Sequence, residues 1–146
     1  MRASDLVRRV FLRHVGPLCD KDGVNEFLAY AAPGSMGQRA RLGHAFILAW
    51  KHDEPVGLIE VRDYHHISLL FVDTDHQRRG IGRQLLRRAL CLCREKHRDV
   101  RQVDVNVSPN AVRAYERLGF RQQAPERTED GIRFVPMVLD LEVHGE

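Results

Sequence analysis

Apolar positions change period several times along the chain, and each change marks an element. Over residues 4–14, Val7, Val10, Phe11 and His14 share one face while Arg8, Arg9 and Arg13 fall outside it, which predicts a helix. A second short helix is predicted over about 24–32, with Val24, Phe27, Leu28 and Ala31 on one side. Ala32-Pro33-Gly34-Ser35 ends it, and residues 34–43 read as a loop. From His44 the pattern changes to short apolar runs, 45–50 and 56–61, separated by the turn Lys51-His52-Asp53-Glu54-Pro55, an antiparallel hairpin. The third run, 66–72, is apolar on both faces at its end, as in a central strand. Residues 80–97 return to helical spacing, with Ile81, Leu85, Ala89, Leu92 and Cys93 on one face and Arg83, Arg87 and Arg94 on others. Val103, Val105 and Val107 alternate with Asp104 and Asn106, a strand with one buried face. Ser108-Pro109-Asn110 supplies a capping side chain and a first-turn proline for a helix burying Ala111, Ala114, Tyr115 and Leu118, which Gly119 stops. Residues 120–123 and 132–141 read as two last strands around the turn Glu129-Asp130-Gly131. The order predicts an α/β fold with a mixed, mostly antiparallel central sheet flanked by helices.

The length, 146 residues, suits one domain over 1–146 with a sizeable core, and 43% apolar against 29% charged residues argues against a disordered chain. No apolar run approaches the ~20 residues of a bilayer span, and charges rather than an apolar core follow Met1-Arg2-Ala3-Ser4-Asp5. Neither a membrane protein nor a secreted one is expected. Cys19, Cys91 and Cys93 are too few for a zinc site of two pairs and read as buried or half-buried thiols, suited to the cytoplasm. Twenty-three Lys and Arg against 20 Asp and Glu leave +3, compatible with an anionic ligand but no proof of one.

Candidate chemistry concentrates in two places. Val72-Asp73-Thr74-Asp75-His76-Gln77-Arg78-Arg79-Gly80-Ile81-Gly82 lies between a buried strand and a long helix. Its glycines let backbone approach a ligand closely, the free N–H groups of the helix's first turn bind anions, and Arg78, Arg79 and Arg83 add charge. A pyrophosphate suits it; an Arg- and Gly-rich helix start is the plain alternative. The spacing is neither that of a P-loop nor that of a dinucleotide fingerprint. The second place is the segment from Asn110 to Phe120, where Tyr115 taken alone reads as a core aromatic.

Together and in this order, the two segments resemble the Gcn5-related N-acetyltransferase family. Gln77-Arg78-Arg79-Gly80-Ile81-Gly82 is similar to that family's coenzyme A loop, and Asn110-Ala111-x-x-x-Tyr115-x-x-x-Gly119-Phe120 to its second signature. Phe134-Val135-Pro136-Met137 resembles the last strand of many small bacterial members. The likeness covers about 44–141, whereas the family usually opens with a strand and residues 1–14 here read as helix. The resemblance implies acetyl-CoA as cofactor. Its pantetheine arm would lie along Leu70, Phe71 and Val72, its pyrophosphate on the backbone of Gln77, Arg78, Arg79, Gly80, Ile81, Gly82 and Arg83. Asn110 would help hold it, and Asn106 and Ser108 would line the edge where the acyl group ends. The partner would be a small-molecule or peptide amine, and a homodimer through exposed strands is compatible with the family.

Acyl transfer sets its own demands. An alkyl amine is mostly protonated at neutral pH, so a base or water relay must take a proton, and the leaving thiolate must receive one. Tyr115 is the candidate acid, and a backbone N–H near Phe71 or Val72 the candidate oxyanion donor. Two candidates for the base stay open beside a water chain: Glu60, whose apolar neighbours would favour the protonated carboxyl, and His66 at the start of the third strand. Structural roles, Glu60 pairing an arginine and His66 packing at a strand end, are the alternatives. His65-His66 is not read as a metal site, because strand neighbours point to opposite faces. Residues 35–42 are expected as a loop over the acceptor pocket. Two competing functions are an acyl-CoA-binding module without turnover and nucleic-acid binding through Arg78, Arg79, Arg83, Arg87 and Arg88. The second lacks an aromatic stacking platform.

Overall fold

The computed structural model describes residues 2–141. Three helices come first: α1 (Arg2–His14), α2 (Lys21–Tyr30) and α3 (Pro33–Arg41). Asp20 caps α2, accepting a hydrogen bond from the Gly23 N–H at 2.8 Å. Helix α3 replaces the loop expected over 34–43, so no loop over residues 35–42 covers a pocket. Its two glycines, Gly34 and Gly37, are poor helix formers, but tertiary contacts override that. Pro33 occupies a first-turn position where its missing N–H costs nothing, Met36 is buried, and Arg39 pairs with Glu60.

Seven strands follow: β1 (Ala45–Lys51), β2 (Glu54–Arg62), β3 (His66–Val72), β4 (Gln102–Val107), β5 (Arg121–Gln122), β6 (Arg127–Glu129) and β7 (Ile132–Asp140). The sheet order is β1-β2-β3-β4-β7-β5, with β6 pairing to β7, and the β3–β4 pair is parallel while the others are antiparallel. The expected mixed, mostly antiparallel sheet is therefore present. The strand β6 is an addition. It forms a hairpin with β7 through Asp130-Gly131, both at positive φ (53° and 79°), the turn geometry whose twist matches that of paired strands.

Helix α4 (Ile81–Lys96) follows β3, and α5 (Val112–Arg117) follows β4 after a 3₁₀ turn over Pro109–Ala111. Ser108 does not cap that turn. Its hydroxyl donates to Asn110 Oδ1 at 2.7 Å instead. The helix is accordingly shorter than its spacing implied, and Ala114 is exposed rather than buried.

Strand alternation sorts the core into two layers. Leu58 and Leu69 face Leu6, Val7 and Val10 of α1, whereas Ile59, Val61 and Ile67 face Leu85, Leu86 and Ala89 of α4. At Gly57 a Cβ would lie 2.9 Å from Ile81 Cγ2 and 2.9 Å from Leu85 Cδ1, so this glycine sets how closely α4 approaches the sheet. Cys93 is buried and Cys19 half-buried, and burial pushes both thiols up. Cys91 is exposed, because residues two apart on α4 point in different directions. Among the described residues no helix is long and apolar enough to cross a membrane.

Candidate active site

The parallel pairing of β3 with β4 covers only His66↔Asp104 and Ile67↔Val105. Beyond it the strands part, and the opening continues as a cavity of about 1000 Å³. A bulge begins the parting: Glu60 of β2 faces Leu69 and Val61 faces Ile67, which leaves Ser68 as the extra residue of β3. Ser68 lines the cavity with its hydroxyl oxygen buried and without a hydrogen-bond partner. The apolar run hid this feature. Only the uninterrupted stretch Leu69-Leu70-Phe71-Val72, in which strict alternation is lost, signalled it in the sequence.

Backbone parity decides what β3 offers the opening. The Asp73 N–H donates to the Val56 carbonyl at 2.8 Å, and hydrogen-bonded positions alternate along an antiparallel pair. That parity turns the N–H groups of Leu69 and Phe71 towards β2 and those of Leu70 and Val72 towards the opening. Phe71 thus drops out as an oxyanion donor; its ring packs edge-on to Phe27 with centroids 5.9 Å apart. Gln77 Nε2 donates to the Val72 carbonyl at 3.0 Å, tying the following loop to the same edge.

That loop carries the anion-binding geometry. Arg78 and Gly80 adopt positive φ (65° and 83°), and Gly80 precedes α4 with no side chain capping the first turn, so those N–H groups remain available. Gln77, Arg78, Gly80, Ile81, Gly82 and Arg83 line the cavity. Arg79 does not: the turn that presents Gly80 leaves its exposed side chain outside the lining.

Across the opening, Asn106 and Ser108 of the β4 end line the cavity, and Tyr115 joins them from α5. Its ring packs edge-on against Phe120 with centroids 5.4 Å apart, and burial pushes its hydroxyl well above the usual phenol range. Asn110 is already engaged: its amide donates to the His14 carbonyl at 2.7 Å while its oxygen accepts from Ser108. The end of α1 is fastened on the other side as well. Arg9 pairs with Asp73 at 2.7 Å, and His14 Nε2 lies 3.1 Å from Thr74 Oγ1. His76, with Arg9 second, holds the Asp73 carboxyl below the usual carboxylate range.

The two base candidates occupy different places. Glu60 is fully buried, held by Arg39 at 2.7 and 3.1 Å and by His44 at 2.6 Å, and is not among the cavity's lining residues. The structure does not bring it to the site, because its strand face is turned to α1–α3. His66 opens β3 at the closed end of its pairing with β4, two residues before Ser68, with Nδ1 hydrogen-bonded to Asp104; it too lies outside the lining. His65 belongs to the turn before β3, not to the strand, and reaches within 3.9 Å of the same carboxylate. The two histidines therefore converge on Asp104, which strand alternation did not foresee.

The lining also takes in Phe11 and Phe27, stacked with centroids 3.9 Å apart, and the carboxylates of Glu26, Glu129 and Asp130 from α2 and the β6–β7 hairpin, with Arg133 beside them. Those residues come from segments with no motif, and β6 was not legible as a strand.

The sequence model for the acetyltransferase (GNAT) domain matches residues 16–141, further towards the N-terminus than the two motifs alone reached. No curated protein matches the sequence significantly. Among solved structures, a GCN5-related N-acetyltransferase from Rhodopseudomonas palustris is similar with a TM-score of 0.71 and 21% identity, over 94% of this chain and 89% of that one. The PaiA N-acetyltransferase of Thermoplasma acidophilum, in complex with coenzyme A, gives 0.76 at 13% identity over 96% and 91%. An aminoglycoside 6′-N-acetyltransferase, also with coenzyme A, gives 0.65 at 13% over 94% and 89%. At these identities the likeness is one of fold.

Proposed function

The chain belongs to the GNAT family of N-acetyltransferases, and on that premise we propose that it transfers an acetyl group from acetyl-CoA directly to a primary amine of a small molecule or peptide. The observation that carries this reading is the opening between β3 and β4, where the backbone of Leu70 and Val72 is turned away from β2 and left without a partner strand. The residues fit the cofactor. An extended amide-bearing arm would complete the sheet beside Leu70 and Val72, and the uncapped first turn of α4 from Ile81 to Arg83 would take the pyrophosphate.

Acetyl-CoA supplies an electrophilic thioester carbonyl and a thiolate leaving group. The Val72 or Leu70 N–H would meet the charge that develops on the carbonyl oxygen. Burial keeps the Tyr115 hydroxyl fully protonated at neutral pH, and a thiolate in the same dry site is destabilised by the same desolvation, so the proton can pass from phenol to sulfur. We assign removal of the amine proton to water leading to His66, whose Nδ1 is engaged by Asp104 and whose Nε2 is thereby left as acceptor. An acceptor that arrives as an ammonium would give up two protons, one to the water leading to His66 before attack and one as the nitrogen–carbon bond forms and the carbon–sulfur bond breaks. Tyr115 would pass one to the sulfur and be reprotonated, and the other would leave to solvent. Glu26, Glu129 and Asp130 in the cavity lining support an acceptor that arrives as a cation.

Calorimetric titration with acetyl-CoA and with coenzyme A, followed by amine-dependent thiol release, tests the reading. One-to-one binding at micromolar strength, worth about −8 kcal/mol, with release of thiol on adding an amine, is the expected result. Binding without turnover across a broad amine panel would favour an acyl-CoA-sensing module. No heat and no thermal shift at millimolar ligand would overturn the cofactor assignment itself.

A further inference from the structure

A second cavity, of about 410 Å³, lies apart from the first and shares no lining residue with it. It forms where the turn from α3 into β1, the turn from β2 into β3 and the end of α4 meet. Its walls include Leu42, His44, Arg62, Asp63, Tyr64 and His97, and the proposed acetyl transfer uses none of them. Leu42 is 73% exposed, more than any other large apolar side chain among the described residues. Asp63 and Tyr64 hold positive φ (55° and 60°), a conformation that strains a bulky residue such as tyrosine. That turn sets the Tyr64 ring on the His97 ring, with centroids 4.9 Å apart. Arg62 and Asp63 pair only at 3.8 Å, and both side chains are more than half exposed. A pair so loose and wet adds little to the fold and leaves both charges open to a ligand.

The wall charges are of both signs and close together, so a complementary ligand carries both signs close together as well. Its anionic group meets the planar fork of Arg62, which matches the two oxygens of a carboxylate. Its cationic group meets Asp63 and His44. Glu60 accepts from Arg39 Nε at 2.7 Å and from His44 Nδ1 at 2.6 Å, which leaves the imidazole Nε2 as an acceptor for the cavity. Helices α3 and α4 both end at this cavity, beside Leu42 and His97, and the negative ends of their dipoles favour a cation there. Leu42 and the Tyr64 ring supply an apolar surface next to the charges.

We propose that this second cavity binds a free α-amino acid with an apolar side chain: its carboxylate on Arg62, its ammonium on Asp63 and His44, and its side chain against Leu42 and Tyr64. An α-amino acid places its two charges on one carbon, as the adjacent Arg62 and Asp63 require. A simple carboxylate or a simple amine would leave one of those two charges unanswered. Binding there ties the α3–β1 turn, the β2–β3 turn and the end of α4 to one ligand, and so stabilises the folded chain. Such binding does not depend on the acetyl-CoA reading, because the two cavities have no wall residue in common.

The test is calorimetric titration and thermal shift with L-leucine, L-valine and L-phenylalanine, each beside its amide, which lacks the carboxylate, and its N-acetyl form, which lacks the ammonium. At least one of the three should bind saturably at about millimolar strength or tighter. Its amide and its N-acetyl form should each bind about tenfold more weakly or worse. Arg62→Gln should abolish the preference over the amide, and Asp63→Asn the preference over the N-acetyl form. Both side chains are exposed and asparagine tolerates positive φ, so melting without ligand should be unchanged and serves as the folding control. No saturable binding by any of the three at about 10 mM would overturn the proposal. Equal binding of the amide and the N-acetyl form by the natural chain would overturn it too, and needs neither variant. A preference that survives its variant would put the amino acid elsewhere, as an acceptor in the first cavity for instance, and would overturn this site while leaving the acetyl-transfer reading standing.

Discussion

The two edges of β3 are made of the same seven residues and do opposite things. Towards β2 the pairing runs from Gly57↔Val72 to Arg62↔His66, and the ionisable group on that side, Glu60, is sealed between Arg39 and His44. Towards β4 it ends after two residues, and the groups left over, the Ser68 hydroxyl and the backbone at Leu70 and Val72, have no protein partner strand. A buried polar group without a partner is costly, so evolution tolerates it where something else completes it. One edge of the strand is scaffold, and the other is a half-finished sheet with open space beside it.

Disturbing the sealed edge should have the largest effect. Glu60→Gln leaves Arg39 and His44 facing a neutral amide, and breaking a buried ion pair costs about 3 kcal/mol or more. Urea unfolding should record that loss, with acetyl-CoA affinity per folded molecule unchanged. A loss under about 1 kcal/mol would mean that Glu60 is not the keystone of that edge. Tyr115→Phe tests the open edge: kcat should fall about a hundredfold, as for loss of a positioned acid, while acetyl-CoA affinity holds. His66→Gln should lower the same parameter by about tenfold. A loss of binding in either variant would make the residue structural.

Gly57→Ala connects the edges. The new methyl would press on Ile81 and Leu85, costing about 2 kcal/mol by overpacking and displacing the α4 first turn. Reduced stability with unchanged acetyl-CoA affinity would show that α4 is positioned by other contacts. The smallest effect concerns Asp73, where the strap from α1 meets the loop before α4. Its carboxyl is held below the ordinary range by His76 and Arg9, so the folded state binds its proton less readily than the unfolded chain. The stability it contributes is therefore full above the ordinary carboxyl range and is lost as the pH falls through the lowered value. Natural protein and Asp73→Asn should differ at pH 7, begin to approach one another near about pH 4, the ordinary carboxyl range, and converge only once the pH has fallen below the lowered value. A difference that persists in acid would mean that His76 and Arg9 hold Asp73 by contacts other than its charge.

How much of this was legible beforehand depends on whether a signal was local. The strand 66–72 appears with the predicted ends because apolar density and the flanking turns are local, and α4 differs by one residue at each end for the same reason. Gln77 to Arg83 and Tyr115 line the cavity, Arg79 excepted, because a glycine turn before a helix is written in consecutive residues. The helix α3 was missed because Met36 and Arg39 earn it only by reaching β2 and the core. Asp104 beside His66, Arg39 beside Glu60 and His14 beside Asn110 are pairings across 38, 21 and 96 positions. No window along the chain contains them. The acidic part of the lining was the least legible, since Glu26, Glu129 and Asp130 carry no pattern apart from the fold that gathers them.

One contact beside those residues fixes how the segments that carry them meet. Gly23 at the start of α2 and Gly131 in the β6–β7 turn meet backbone to backbone: a Cβ on Gly23 would run into the Gly131 carbonyl, and one on Gly131 into Asp20 and the Gly23 nitrogen. The Asp20 N–H also donates to the Gly131 carbonyl at 3.2 Å. Two segments 108 positions apart are thereby welded into one wall with no slack between them (131 minus 23). Sliding that wall would pull the two glycines apart, whereas Glu26, Glu129, Asp130 and Ile132 can be exchanged along it while the glycines stay as they are. The weld separates the shape of this wall from its chemistry.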